Sequence, residues 1–131
     1  MESTVVAAVL AAGLFVAMAV FQAVLAAGAP LGDRVLGGRN PGILPTRLRV
    51  FSGIAAVLLL GFALVILACA GIVGWPAGLA GLLVPAVWVI TGFLILNTLG
   101  NLASKSRFER TVLAATTAVL AVLCGFVALT A

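Results

Sequence analysis

The sequence predicts an all-α protein: a transmembrane four-helix bundle with both termini outside and a tight outer hairpin between the second and third helices. Three observations predict it. Of 131 residues, 65% are hydrophobic and only 8% charged, against about 45–50% and roughly 25% in soluble domains. The apolar residues fall into four runs, each near the ~20 residues that a helix needs to cross about 30 Å of hydrocarbon. All seven Lys and Arg residues lie in two short connecting segments. A soluble fold of this size could not bury so much apolar surface, because small domains leave a large share of their surface exposed. The length accommodates one domain, residues 1–131.

The first run covers residues 4–27 and carries one strongly polar side chain, Gln22. Its N-terminal flank holds Glu2 and no Lys or Arg, so the basic segment of a cleaved secretion signal is missing, and its apolar length exceeds that of a signal core. It is expected to be a retained helix. Residues 28–50 form the first connection, with five Gly, three Pro and four Arg. Pro30, Pro41, Pro45 and the Gly37-Gly38 pair oppose a long helix there. The apolar residues Leu31, Val35, Leu36, Ile43, Leu44 and Leu48 suggest a segment lying in the headgroup layer.

The second run, residues 51–74, ends at Trp75-Pro76, where Pro stops a helix and Trp favours the membrane interface. The third run, residues 77–99, follows so closely that the two must form a hairpin. Pro85 is a candidate kink in its outer third, and Trp88 is expected to pack inside the bundle. Residues 100–110 form the second polar connection, and residues 111–130 the fourth run.

Four spans put the first and third connections on one side and both termini on the other. Arg34, Arg39, Arg47 and Arg49 lie in one connection, and Lys105, Arg107 and Arg110 in the other. None lies at a terminus or in the Trp75 turn. The positive-inside rule then places both basic loops in the cytoplasm and both termini outside. Helices in lipid associate through small residues. Ala19, Ala23 and Ala27, Gly92 and Gly100, and Ala114 and Ala118 have suitable spacings, either for internal packing or for a homodimer seam.

Composition also argues against several chemistries. The chain has no His and no Tyr, and its three acids, Glu2, Asp33 and Glu109, all lie outside the predicted hydrocarbon core. A proton relay would lack its intramembrane carboxylate. Metal catalysis would lack a His or carboxylate cluster, and a Ser or Cys nucleophile would lack a His base. Cys69 and Cys124 sit singly in apolar runs as small hydrophobes, with a disulfide in the outer half as the alternative. No catalytic residue, cofactor or metal is expected. Nor is nucleic acid a partner, since the charges flank greasy helices instead of forming a basic face.

One polar constellation gathers at the cytoplasmic boundary. Gln22 precedes the first loop, and Asn97 and Asn101, at i and i+4, share a face at the inner end of the third helix. Asp33, Arg34, Arg39, Asn40, Arg47 and Arg49 come from the first loop. Ser104, Lys105, Arg107, Glu109 and Arg110 come from the second. In the simplest case these groups anchor helices, cap them and snorkel to headgroups. In the sharper case the two loops form an anion or phospholipid-headgroup site, with Arg34 and Arg39 the first residues to test. The neighbours Asp33 and Arg34, and Glu109 and Arg110, are expected to be surface pairs.

Phe21–Val50 and Leu96–Arg110 carry a Phe-Gln before Gly-Ala-Pro, a Gly-Gly, a Pro-Gly-x-Leu-Pro and an Asn-x-x-Ser-x-Ser-x-x-Glu-Arg. In these the chain resembles short four-span membrane proteins frequent in high-GC bacteria. The resemblance implies the same topology and two loops that act together, and it implies no activity. Small multidrug transporters share the size but need a membrane-embedded Glu in the first helix, where this chain has only apolar residues and Gln22. The polar track of four-span fluoride channels has no match either. The expected function is that of a non-catalytic accessory or anionic-lipid-binding protein of the bilayer, within a larger complex or alone. The alternative is a small dimeric transporter or channel whose inner mouth Gln22, Asn97 and Asn101 would line.

Overall fold

Two glycines set where the first two helices stop. Gly28 has φ +103° and Gly71 φ +77°, a region that L side chains avoid. The Gly28 and Ala29 N–H groups donate back to the Leu25 and Val24 carbonyls at 3.1 and 3.2 Å. Those of Gly71 and Ile72 donate to Ala68 and Leu67 at 3.0 and 2.9 Å. Each pair closes a helix C-terminus by satisfying carbonyls that no later turn can reach.

The computed structural model describes residues 2–131. Helix α1 is Glu2–Ala26, α2 Thr46–Cys69, α3 Leu83–Leu102 and α4 Ala114–Thr130. A π-helical segment, Glu109–Leu113, leads into α4, and a 3-10 segment, Ala77–Leu82, leads into α3. All four helical segments are long and apolar enough to cross a membrane. The fold is therefore an all-α, four-helix transmembrane bundle.

The boundaries differ from the hydropathy reading for local reasons. Helix α2 ends at Cys69 instead of residue 74 because Gly71 reverses the chain, although Ile72 and Val73 prolong the apolar run. It begins at Thr46 instead of residue 51, directly after Pro45, so Arg47 and Arg49 are helical and not loop residues. Pro85 falls in the first turn of α3, where its missing N–H has no intrahelical acceptor to lose. The expected kink is replaced by the change from 3-10 to α geometry just before it. Helix α3 continues to Leu102, and helix resumes at residue 107, so the second connection shrinks to residues 103–106.

Helix α1 packs along α2 and α4, and α3 packs along α4. Helices α2 and α3, although joined by the short 70–76 turn, share far less surface. Ala8, Ala11, Phe15 and Ala19 form the buried stripe of α1. Ala23 and Ala27, which the spacing suggested, are exposed, as are Gly92 and Gly100. Phe15, Phe62 and Phe93 link α1, α2 and α3 through edge-to-face contacts at 5.8 and 5.9 Å. Hydroxyls add two ties. Thr4 Oγ1 donates to Thr130 Oγ1 at 2.7 Å, and the Thr98 and Thr117 hydroxyls lie 2.8 Å apart. Cys69 and Cys124 are free thiols. Trp88 faces outward, 45% exposed, on the same lipid-facing surface as Val89.

Gly71→Ala is expected to lower the stability of the detergent-solubilised protein by about 1–2 kcal/mol, because an L residue is forced into left-handed backbone. Gly61→Ala, mid-helix with open space around it, should instead be neutral or stabilise by up to ~1 kcal/mol. Thermal unfolding of both variants checks the contrast.

Candidate functional site

The first loop is a folded unit at the basic end of the bundle. Its Val35 and Leu44 are buried with Leu25 of α1, and Phe21, Leu31 and Leu48 pack around them. The two arms of the loop meet at Gly32, whose N–H donates to the Gly42 carbonyl at 2.8 Å. A Cβ on Gly32 would be driven into the Asn40 carbonyl oxygen, so only glycine allows this approach.

Next comes a run of left-handed backbone: Leu36 at φ +52°, Gly37 at +71° and Gly38 at +74°. A leucine in this region needs outside support, and Glu109 supplies it. Its Oε2 accepts from the Leu36 N–H at 3.0 Å, while Oε1 accepts from the Gly37 N–H at 2.9 Å and from Ser104 Oγ at 2.6 Å. Ser106 Oγ donates to the Arg34 carbonyl at 2.7 Å and faces the Glu109 N–H at 3.4 Å. Ser106-x-x-Glu109 is thus a capping-box spacing in which only half of the box forms. The glutamate reaches across to the first loop, and Ser104 Oγ takes the Ser106 N–H instead, at 3.0 Å. That spacing was a legible signal for a helix beginning at residue 107.

The seven basic residues fall into three groups. Three are engaged within the protein. Arg34 lies 5.7 Å over the Phe108 ring, which packs on Phe21. Arg49 Nε donates to the Ala26 carbonyl at 3.0 Å, placing a cation at the C-terminus of α1, where the helix dipole favours one. Arg110 donates to the Ser104 and Lys105 carbonyls at 3.1 and 3.0 Å. Arg110 therefore caps the turn while Glu109 holds the other loop, in place of the surface pair expected between them. Arg47, Arg107 and Asp33 are exposed. Arg39 and Lys105 remain, and both line a cleft.

The mouth of this cleft, about 810 Å³, is bounded by Arg39 and Asn40 of the first loop, Ser104 and Lys105 of the second, and Asn97 and Asn101 of α3. A deeper part, about 410 Å³, is walled by Phe21 and Gln22 of α1, Phe51 and Phe62 of α2, Phe93 of α3 and Thr117 of α4. Leu36, Leu48, Phe93, Asn97, Asn101 and Glu109 line both parts, so the two adjoin. Of the residues expected at a joint loop site, the fold brings Arg39, Asn40, Asn97, Asn101, Ser104, Lys105 and Glu109 together at the mouth and adds Gln22 further in. Arg34, Arg47, Arg49, Arg107, Arg110 and Asp33 lie outside the lining. The four phenylalanines that line the deeper part were not expected as site residues, because apolar side chains in a hydrophobic run carry no distinguishing pattern.

Fold and cleft together define a multi-pass membrane protein of four transmembrane helices, with a cationic opening that leads into an apolar interior. No family model, curated protein or solved structure matches the chain. Among the described residues no group of three or more His, Cys, Asp or Glu could hold a metal ion.

Glu109→Ala should release the first loop at a cost of about 1–3 kcal/mol, the range for leaving donors without their charged acceptor. Hydrogen exchange at the Leu36 and Gly37 amides is the direct readout, and it should accelerate. Arg110→Ala, at an exposed position, should change stability by no more than ~1 kcal/mol and leave those two amides protected.

Proposed function

We propose that this protein is a non-catalytic component of a bacterial inner membrane that holds an anionic phospholipid at its basic end. Both basic loops face the cytoplasm in this view, and both termini lie outside, as the one-sided distribution of Lys and Arg supports. The observation that carries the proposal is the cleft: cations and amides at the level of the loops, and aromatic walls below them. Basic recesses on the cytoplasmic side of a membrane protein suit lipid phosphates. Arg39 and Lys105 are the cations at the mouth, so this pair replaces Arg34 and Arg39 as the one to test. Asn97 and Asn101 add amides that take no part in the hydrogen bonds joining Ser104, Ser106 and Glu109.

The motifs behind the resemblance to short four-span bacterial proteins gather at the same place. Gly37-Gly38 and Ser104-x-Ser106-x-x-Glu109 form the junction that shapes the mouth. This supports grouping the chain with those proteins, on the ground that the loops work as one unit. A small dimeric transporter is the second reading, favoured by one feature: Gln22, Asn97 and Asn101 continue the polar lining inward from the mouth.

Native mass spectrometry of protein released from nanodiscs of mixed anionic and zwitterionic lipid separates the two readings. The expected result is a monomer that retains an anionic lipid, with retention lost in the Arg39→Ala/Lys105→Ala variant and kept in Arg47→Ala/Arg107→Ala. A discrete homodimer without lipid would favour the transporter.

A further inference from the structure

Resting on that functional reading, we propose that the occupant is one phospholipid from the leaflet on the basic side, admitted sideways between α2 and α3, with one acyl chain held inside the bundle and its phosphate at Arg39 and Lys105.

The depth of the cleft supports this first. Along α2 its lining runs from Phe51 to Phe62, eleven residues or about 16 Å of helix rise. That is close to half of a hydrocarbon core of about 30 Å, the depth of a single leaflet. A free phosphate would have no use for such a shaft, and a soluble peptide would have no route to its floor.

The opening supports it second. Helices α2 and α3 pack against each other far less than α1 against α2 or α3 against α4. The cleft residues Phe51, Leu58 and Phe93 are exposed, at 69, 54 and 48%, so the cleft is open at its side. The gap therefore faces lipid. An apolar space in contact with bilayer hydrocarbon is filled by hydrocarbon. Polar side chains are a minority of the lining, and the innermost hydroxyl, that of Thr117, already faces the Leu113 and Ala114 carbonyls.

The volume limits the occupant. A methylene takes up about as much space as a liquid water molecule, roughly 30 Å³, so about 410 Å³ matches one acyl chain of the order of a dozen carbons. The other chain stays among its neighbours in the bilayer. Because lipid tails are as apolar as the cleft wall, burial of the chain selects nothing. Selection rests on the headgroup, where Arg39 and Lys105 favour negative charge and the Asn97 and Asn101 amides can donate to phosphate or ester oxygens.

Photo-crosslinking of the wild-type protein tests this, in nanodiscs containing phosphatidylglycerol with a diazirine on one acyl chain. Label on Leu59, Leu94 and Thr117, all buried in the bundle and lining the cleft, should exceed label on outward Val89 and Val122 roughly tenfold, equivalent to about 1.4 kcal/mol of preference. The half-buried Ala55 lines the deep part on α2. Ala55→Phe should remove the inner label, since it fills the shaft and leaves every charge in place. Label confined to outward residues, or inner label unchanged in Ala55→Phe, would overturn the inserted chain. If anionic lipid were still retained in native mass spectra, binding through the headgroup alone would survive. Absence of both label and retained lipid would overturn both proposals.

Discussion

The basic end of this protein is organised by one carboxylate. Glu109 accepts from two successive backbone N–H groups of the first loop and from the Ser104 hydroxyl of the second. Without an acceptor, the left-handed stretch at Leu36 and Gly37 would carry strain with nothing to hold it in place. With Glu109 present, the loop is drawn against α4 and its apolar residues close over Leu25. The cleft mouth exists because that contact keeps Arg39 and Asn40 opposite Asn101 and Lys105. The same residue opens the π-helical segment at the start of α4, a geometry that often accompanies functional sites.

The bilayer accounts for features that would be faults in a soluble bundle. Val57, Val89, Val122 and Leu129 are each at least 70% exposed, and lipid solvates them. Between helices, where hydrophobic burial contributes little in lipid, cohesion comes from close packing of alanines along α1, three phenylalanine rings in series and the hydroxyl ties of Thr4 with Thr130 and Thr98 with Thr117. Of these ties only the Phe62–Phe93 edge contact joins α2 to α3. The seam between α2 and α3 is therefore much looser than those of α1 with α2 and of α3 with α4, and it is the one through which the proposed lipid chain would enter.

The seven cations gather at one end of the bundle, yet their chemistry differs. Arg49 neutralises the end of a neighbouring helix, Arg34 stacks on Phe108 and Arg110 closes the short turn between α3 and α4. These engagements hold the loops in shape and withdraw three guanidinium groups from the mouth. Arg39 and Lys105 come from different connections and meet only because both loops are folded onto the helix ends. The same set of cations thus divides between those that hold the loops in shape and those left at the cleft mouth.

By itself the sequence determined the solvent, the number of spans and the end at which charge collects. Each follows from hydropathy and from the position of Lys and Arg along the chain, which do not depend on how the helices pack. Helix ends were legible only in part. Gly28 and Gly71 act through backbone conformation, which a hydropathy pattern does not register, and Ser106-x-x-Glu109 marked a helix start amid charged residues that resembled loop. Tertiary structure alone decided which of the fourteen expected site residues share a cleft. That choice depends on the side chain that Glu109 reaches, the guanidinium groups already engaged and the small contact between α2 and α3. These are relations between residues distant in the chain, set by packing, and no local pattern of residue types encodes them.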